Sequence, residues 1–296
     1  PSITIRGWDR NKTIIDGEFE RGNGILVAGV DGVTIENITA RNALLNGFYW
    51  ATVKGYRGSY LTAYNNGDYG VYAFDAVDGV LDHSYATGSP DAGFYIGQCY
   101  PCDAIVNNVV SEYNGLGYSG TNSGGSLYIT SSIFRNNKGG LAPNTLDSEL
   151  LPPERETFII GNLIENNNNY NSPATNSTYL SYGNGVVIAG GNNNIIKNNV
   201  IVDHDLYGVI LTASMDVNYW PAHGNRVEEN LILSSRKADI AVSGVSNLAN
   251  CFEGNYFNTS IPPGLQALNG CEKNIIPLSA DLSGLWSTIA RLIYAN

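Results

Sequence analysis

Residues 68–95 read DYGVYAFDAVDGVLDHSYATGSPDAGFY, and the stretch begins and ends on the same unit, Asp-x-Gly-[Val/Phe]-Tyr. Its glycines Gly70 and Gly93 belong to a longer series. A glycine followed by an apolar or aromatic strand recurs at Gly24, Gly47, Gly70, Gly93, Gly117, Gly140, Gly185 and Gly208. The intervals are 23, 23, 23, 24, 23, 45 and 23 residues. A fixed period of this size marks a chain of stacked units, none of which buries its apolar face alone. The interval of 45 fits one unit carrying two excursions, 145–155 (TLDSELLPPER) and 168–182 (NNYNSPATNSTYLSY).

Such a unit has room for two or three short strands and carries no helix signal. It describes one coil of a parallel β-helix, stacked on the next at ~4.8 Å, the inter-strand spacing. Roughly ten coils would make a rod about 50 Å long at that spacing. Coil-to-coil connections are crossovers between parallel strands, so a right-handed winding is expected. The fold class is therefore all-β, a single right-handed parallel β-helix over residues 1–276.

Composition agrees. Asn (37) and Gly (34) make up 71 of the 296 residues, and both are poor helix formers, which disfavours a helical bundle. The 19 Tyr, 8 Phe and 4 Trp supply a core, so disorder is disfavoured. A net charge of −11 argues against nucleic acid as a partner, and no apolar run is long enough to span a bilayer. The chain opens at Pro1 almost directly in a strand, and the expectation is that an N-terminal cap and any export leader have been removed. At the other end, Leu282, Leu285, Ile289 and Leu292 share one helical face. Residues 277–296 are expected to form an amphipathic helix that caps the rod or packs on it, covering its open edge.

A second column runs beside the glycines. Asn37, Ser59, Ser84, Asn108, Ser132, Asn162, Asn199, Asn230 and Asn255 each begin an [Asn/Ser]-x-x pattern rich in apolar residues. An Asn amide both donates and accepts, so a buried row of Asn can satisfy itself from coil to coil.

These repeats resemble those of the right-handed parallel β-helix superfamily, which includes pectate lyases, polygalacturonases and mannuronan C5-epimerases. Ser89-Pro-Asp-Ala-Gly-Phe-Tyr-Ile-Gly-Gln98 is similar to a segment of uncharacterised exported parallel β-helix repeat proteins of bacteria. Tyr72-Ala-Phe-Asp75 looks like part of the Tyr-Gly-Phe-Asp-Pro-His motif of the epimerases, with Ala76 and Val77 in place of the Pro and His. His83, in Leu81-Asp82-His83-Ser84, is the candidate to replace that histidine. The same tetrapeptide resembles the Trp-Ile-Asp-His segment of pectate lyases. The polygalacturonase motifs and the arginine-rich motif of pectate lyases are not intact here. The resemblance implies an exported carbohydrate-active protein with lyase- or epimerase-type chemistry.

The column logic places a candidate site. Side chains alternate along a strand, so if the residue after each glycine points inward, the next points outward. Inward positions are then Phe48, Val71, Phe94, Tyr118, Leu141, Val186 and Val209. Tyr49, Tyr72 and Tyr95 stack outward on adjacent coils and are the candidate substrate-binding residues. Asp68 and Asp91 precede two of the glycines and should lie roughly 5 Å apart by the stacking distance. Such a pair either shares a proton or binds a cation, with Ca²⁺ as the candidate. Asp68, Asp75, Asp91 and His83 are the candidate catalytic set, and Asp68 and Asp91 the candidate metal ligands. Asp68 and Asp91 lie on one wall, which argues against simple hydrolysis, where carboxyls flank the sugar. Few basic residues make a polyuronate unfavourable without Ca²⁺, so a neutral glycan fits the charge better. A plain structural reading stands beside this one: stacked tyrosines stabilise a sheet, and Asp before Gly is a common turn residue.

Asp203-His204-Asp205 with His223 offers a weaker metal-ligand set and a third reading, a metal-handling β-helix. Four cysteines allow three pairings. Cys99–Cys102 and Cys251–Cys271 are the expected disulfides, which implies a secreted, cell-surface or periplasmic location. The alternative to a carbohydrate-active protein is a non-catalytic extracellular structural or docking rod.

Overall fold

The structure is a computed structural model that describes residues 2–179, 181–243 and 249–271. It is an all-β parallel β-helix whose coils each contribute three strands, to three faces. The first two faces share an eighteen-stranded sheet, because Asn46–Ser59 and Val71–Asp82 run through the bend between them without a break. The third face is a ten-stranded parallel sheet. The expected C-terminal helix at 277–296 lies outside the described residues.

Register follows the glycine series. On the first face, Phe48 pairs with Val71 and Val71 with Phe94; Phe94 pairs with Tyr118, Tyr118 with Leu141, Leu141 with Val186 and Val186 with Val209. All seven side chains point inward and are fully buried. The Leu141–Val186 pairing places the whole 45-residue interval in one coil. Both excursions leave at corners: the first between the first and second faces, the second between the third face and the next coil.

The bends are columns too. Thr52, Asp75, Gln98 and Asn122 occupy the corner after the first face, each with φ between 46° and 53°. A second such corner holds Asn37, Tyr60, His83, Asn108 and Ser131. This corrects part of the expected polar column. Asn37 and Asn108 are turn residues, and Ser59 is a strand residue paired with Asp82. The buried column lies beside them and reads Ile38, Leu61, Ser84, Val109, Ser132, Asn162, Asn199, Asn230 and Asn255, since each following residue bonds to the carbonyl one coil back. Each coil's Asn accepts the backbone N–H of the residue below it, as Asn199 does from Asn162 at 2.9 Å. Two further Asn rows do the same, through Asn114, Asn137 and Asn167 and through Asn194, Asn225 and Asn250.

Both expected disulfides are formed, Cys99–Cys102 and Cys251–Cys271. Among the described residues, no helix is long and apolar enough to cross a membrane.

Candidate functional site

Tyr49, Tyr72 and Tyr95 lie on successive rungs of the first face, paired in register. Asp68 and Asp91 do likewise, with the Asp91 N–H donating to the Asp68 carbonyl at 3.1 Å. Tyr69 joins them, its ring parallel to Tyr72 with centroids 4.3 Å apart. Tyr49 and Tyr72 are 4.6 Å apart. Tyr69 thus lies face to face on Tyr72, whereas Tyr49 meets Tyr72 at a tilt of 36°, and the rings cover much of one another. The expected flat platform is therefore confined to the outermost ring, Tyr49, beside the exposed Leu26 and Leu45.

Tyr95 differs from its two predecessors. It is 1% exposed, and its ring lies along the strand so that Gly97 must be bare; a Cβ at 97 would sit 2.1 Å from the Tyr95 hydroxyl. The ring forms a floor instead of an offered stacking surface. Gly97→Ala is expected to lower stability by about 1–3 kcal/mol through this overlap, measurable by urea denaturation. A Gly97→Ala protein as stable as the parent would disprove the tight contact.

The Tyr95 hydroxyl donates to both oxygens of Glu149, at 2.9 and 2.8 Å. Glu149 sits on the first excursion and was not among the residues expected from the sequence. Its loop is fixed at several points. The buried Asn122 amide donates to the Leu146 and Glu149 carbonyls at 2.7 and 2.8 Å. The Leu150 N–H donates to Gln98, and Asp147 accepts hydrogen bonds from Asn218 and Trp220. The second excursion closes on the other side: the Thr175 N–H and the Thr178 hydroxyl both donate to the carbonyl of Pro90, next to Asp91. The two inserts are thus held at the two edges of the tyrosine face, Glu149 and Leu150 at its end beside Gln98 and Thr175 and Thr178 at its start beside Asp91.

Electrostatics follow from that enclosure. Burial pushes Asp91 up to about 7, reinforced by the nearby Asp68 charge and opposed by a hydrogen bond from Tyr69. Burial likewise pushes Glu149 up to about 7, opposed by the Tyr95 hydrogen bond and reinforced by Asp91. Asp68 is raised by burial. Tyr69 and Tyr72 are raised by burial and then by their anionic neighbours. None of the three carboxylates enters an ion pair with Lys or Arg among the described residues. Two carboxyl groups poised near neutrality, one from each edge of the face, can give and take protons there.

The other expected residues lie elsewhere. Asp75 is exposed in the corner and acts on Tyr49, whose hydroxyl is raised by burial and then by this charge. His83 is eight residues further on, at the next corner. It stacks on Tyr60 and borders a separate cleft with Arg10, Thr62 and Tyr85, so it does not reach the carboxyl cluster. Among the described residues, Asp68 and Asp91 belong to no group of three or more His, Cys, Asp or Glu whose ligand atoms lie close enough to share an ion. The group that does meet that spacing, Glu228 with Cys251 and Cys271, has both sulfurs in a disulfide. His204 is 1% exposed with Nε2 against the Ile164 carbonyl at 3.3 Å, so it occupies the place of an Asn in a buried row and is not a metal ligand.

A family model described as a right-handed beta helix region matches residues 4–150. No curated protein sequence matches the chain. Among solved structures, the A-module of the Azotobacter vinelandii mannuronan C-5 epimerase AlgE4 aligns with a TM-score of 0.53 and 13% identity, over 87% of this chain and 82% of that one. The periplasmic alginate epimerase AlgG aligns at 0.54 and 12% identity, over 76% of this chain and 50% of that one. The catalytic domain of a GH87 α-1,3-glucanase, solved with nigerose, aligns at 0.55 and 13% identity, over 94% and 58%. At such identities the likeness is one of fold.

Proposed function

This chain is a right-handed parallel β-helix protein, and from that premise we propose that it binds a glycan along the first face and performs acid–base chemistry on it. One observation carries the reading: Asp68, Asp91 and Glu149 gather beside Tyr69, Tyr72 and Tyr95, close enough to act on one another in series, with two of the carboxyls pushed to about 7 by burial. A scaffold has no use for desolvated, mutually repelling carboxyls. A sugar has hydroxyls for the tyrosine edges and carboxyls, and an apolar face for Tyr49 and Leu26. Asp75 lies at the far edge of this face. The two disulfides suit an exported protein.

A glycan array tests the reading. Binding of at least one oligosaccharide is expected, weakened roughly tenfold in Tyr49→Ala, the usual scale for losing one aromatic contact. A protein that ignores every glycan presented would overturn it.

The alternative, a non-catalytic docking rod, draws on the third face. There Val110, Ile133, Leu163, Val200 and Leu231 line up outward in register as a half-exposed apolar row. That reading predicts a protein ligand whose binding is unaffected by Tyr49→Ala.

A further inference from the structure

We infer that the reaction at this site is hydrolysis of a neutral glycan, with Asp91 giving the proton to the leaving oxygen and Glu149 taking one from water. The inference rests on the glycan reading above and names its substrate and chemistry. Asp68 and Asp91 alone stand on one wall and cannot flank a sugar. Glu149 changes this, because it comes from the excursion after the strand whereas Asp91 comes from the turn before it. Glu149 reaches the Tyr95 hydroxyl from one edge of the face, and Asp91, on the other edge, is near enough for its charge to act on Glu149. That is the arrangement glycoside hydrolysis asks for, one carboxyl acting as acid and the other as base or nucleophile.

Roles follow from surroundings. Asp91 has Asp68 beside it and is the more desolvated of the two carboxyls, which favours its protonated form. Both oxygens of Glu149 accept from Tyr95, which favours its ionised form. In the step, the glycosidic C–O bond breaks and its electron pair stays on the leaving oxygen, which receives the Asp91 proton. Water oxygen bonds to the anomeric carbon, and the proton it loses goes to Glu149. Solvent restores both carboxyls. No oxidant, reductant or metal is required.

The charge of the site selects against the other class of substrate. Among the described residues, the ionisable groups that act on Asp91 are Asp68 and Tyr69, and those that act on Glu149 are Tyr95 and Asp91, all of them acids. A uronate would bring a further negative charge into this set with no cation to meet it. A neutral sugar, in turn, lacks the carboxyl that acidifies the C5 hydrogen, so elimination and C5-epimerisation are closed to it.

The test incubates the whole protein with neutral glucans and galactans and with polyuronates. It follows new reducing ends, the ultraviolet absorbance of unsaturated uronate ends, and binding. Expected are reducing ends from a neutral polymer without that absorbance, and a loss of about a hundredfold or more in both Asp91→Asn and Glu149→Gln, each with a Tm no lower than the parent's. Tyr95→Phe should move the acidic limb of the pH profile upward, since Glu149 loses the hydrogen bond that holds it ionised. Polyuronate cleavage with the ultraviolet signal would overturn hydrolysis while leaving the glycan reading intact. A neutral glycan bound but never cut, or cut equally well by both variants, would do the same. If no glycan is bound or cut, the glycan reading falls and this inference falls with it.

Discussion

Asn199→Ala is expected to cost about 4 kcal/mol of unfolding free energy, because it orphans several buried groups at once. The Asn199 side chain accepts from the Asn162 N–H at 2.9 Å and from the Asn162 amide at 3.0 Å. It donates to the Ile159 carbonyl and to Asn230, both at 2.9 Å. Asn199 is 1% exposed and Asn162 is 3% exposed, so water does not replace these bonds. A single deletion therefore strips partners from an N–H, an amide and a carbonyl, each worth about 1–3 kcal/mol when left unpaired and buried. Asn171→Ala, at an exposed position on the second excursion, should change stability by no more than about 0.5 kcal/mol. Urea denaturation of the two variants decides. A cost below about 1 kcal/mol for Asn199→Ala would mean that the row relaxes around the gap and does not hold the coils in register.

Glu154→Gln is expected to be increasingly stabilising as pH rises, reaching several kcal/mol relative to the parent. Glu154 is fully buried at the foot of one Asn row. Thr157 Oγ1 donates to Oε1 and Asn194 Nδ2 donates to Oε2, both at 2.8 Å. Burial outweighs these bonds and raises the group from 4.5 to about 8. Between those values the folded chain holds a proton that the unfolded chain has released. Stability from this group is thus complete below about pH 4.5, declines as pH rises, and is gone above about pH 8. Glutamine keeps the shape and cannot ionise. Asp91 and Glu149 shift in the same direction in both proteins, so the difference between parent and variant isolates Glu154. Urea titrations at about pH 5 and about pH 9 measure it, and an equal difference at both would refute a desolvated carboxyl.

The winding and the first-face columns were legible because a coil's length is a property of the chain itself. Equal intervals between glycines suffice to stack Phe48 through Val209 inward and Tyr49, Tyr72 and Tyr95 in one line. The polar column was read one residue off at Asn37 and Asn108 and two residues off at Ser59, because Ile38, Val109 and Leu61 fill it in those coils. Alternation says which side of a strand a residue takes, not how far its ring leans. Hence the stacking of Tyr69 on Tyr72, the tilt of Tyr49 against Tyr72, and the burial of Tyr95 over Gly97 needed coordinates. Glu149 was invisible for a different reason. It lies in an insert with no repeat to assign it a rung, and its position depends on Asn122, Gln98 and the hairpin at Asn218. One signal did exist: the insert departs from the corner column of Asp75, Gln98 and Asn122, the far edge of the tyrosine face.

The excursion at 145–155 leaves and rejoins the rod within one coil. The Thr145 N–H donates to Ala189 and the Arg155 N–H donates to Ser123, so the rungs on either side keep their partners whatever hangs between them. The segment that delivers Glu149 is therefore interchangeable in a way no rung is. A foreign insert grafted between Thr145 and Glu154, with the buried Glu154 kept, would arrive over the same tyrosines with the columns undisturbed, so new specificity on this scaffold is most readily gained by swapping one insert.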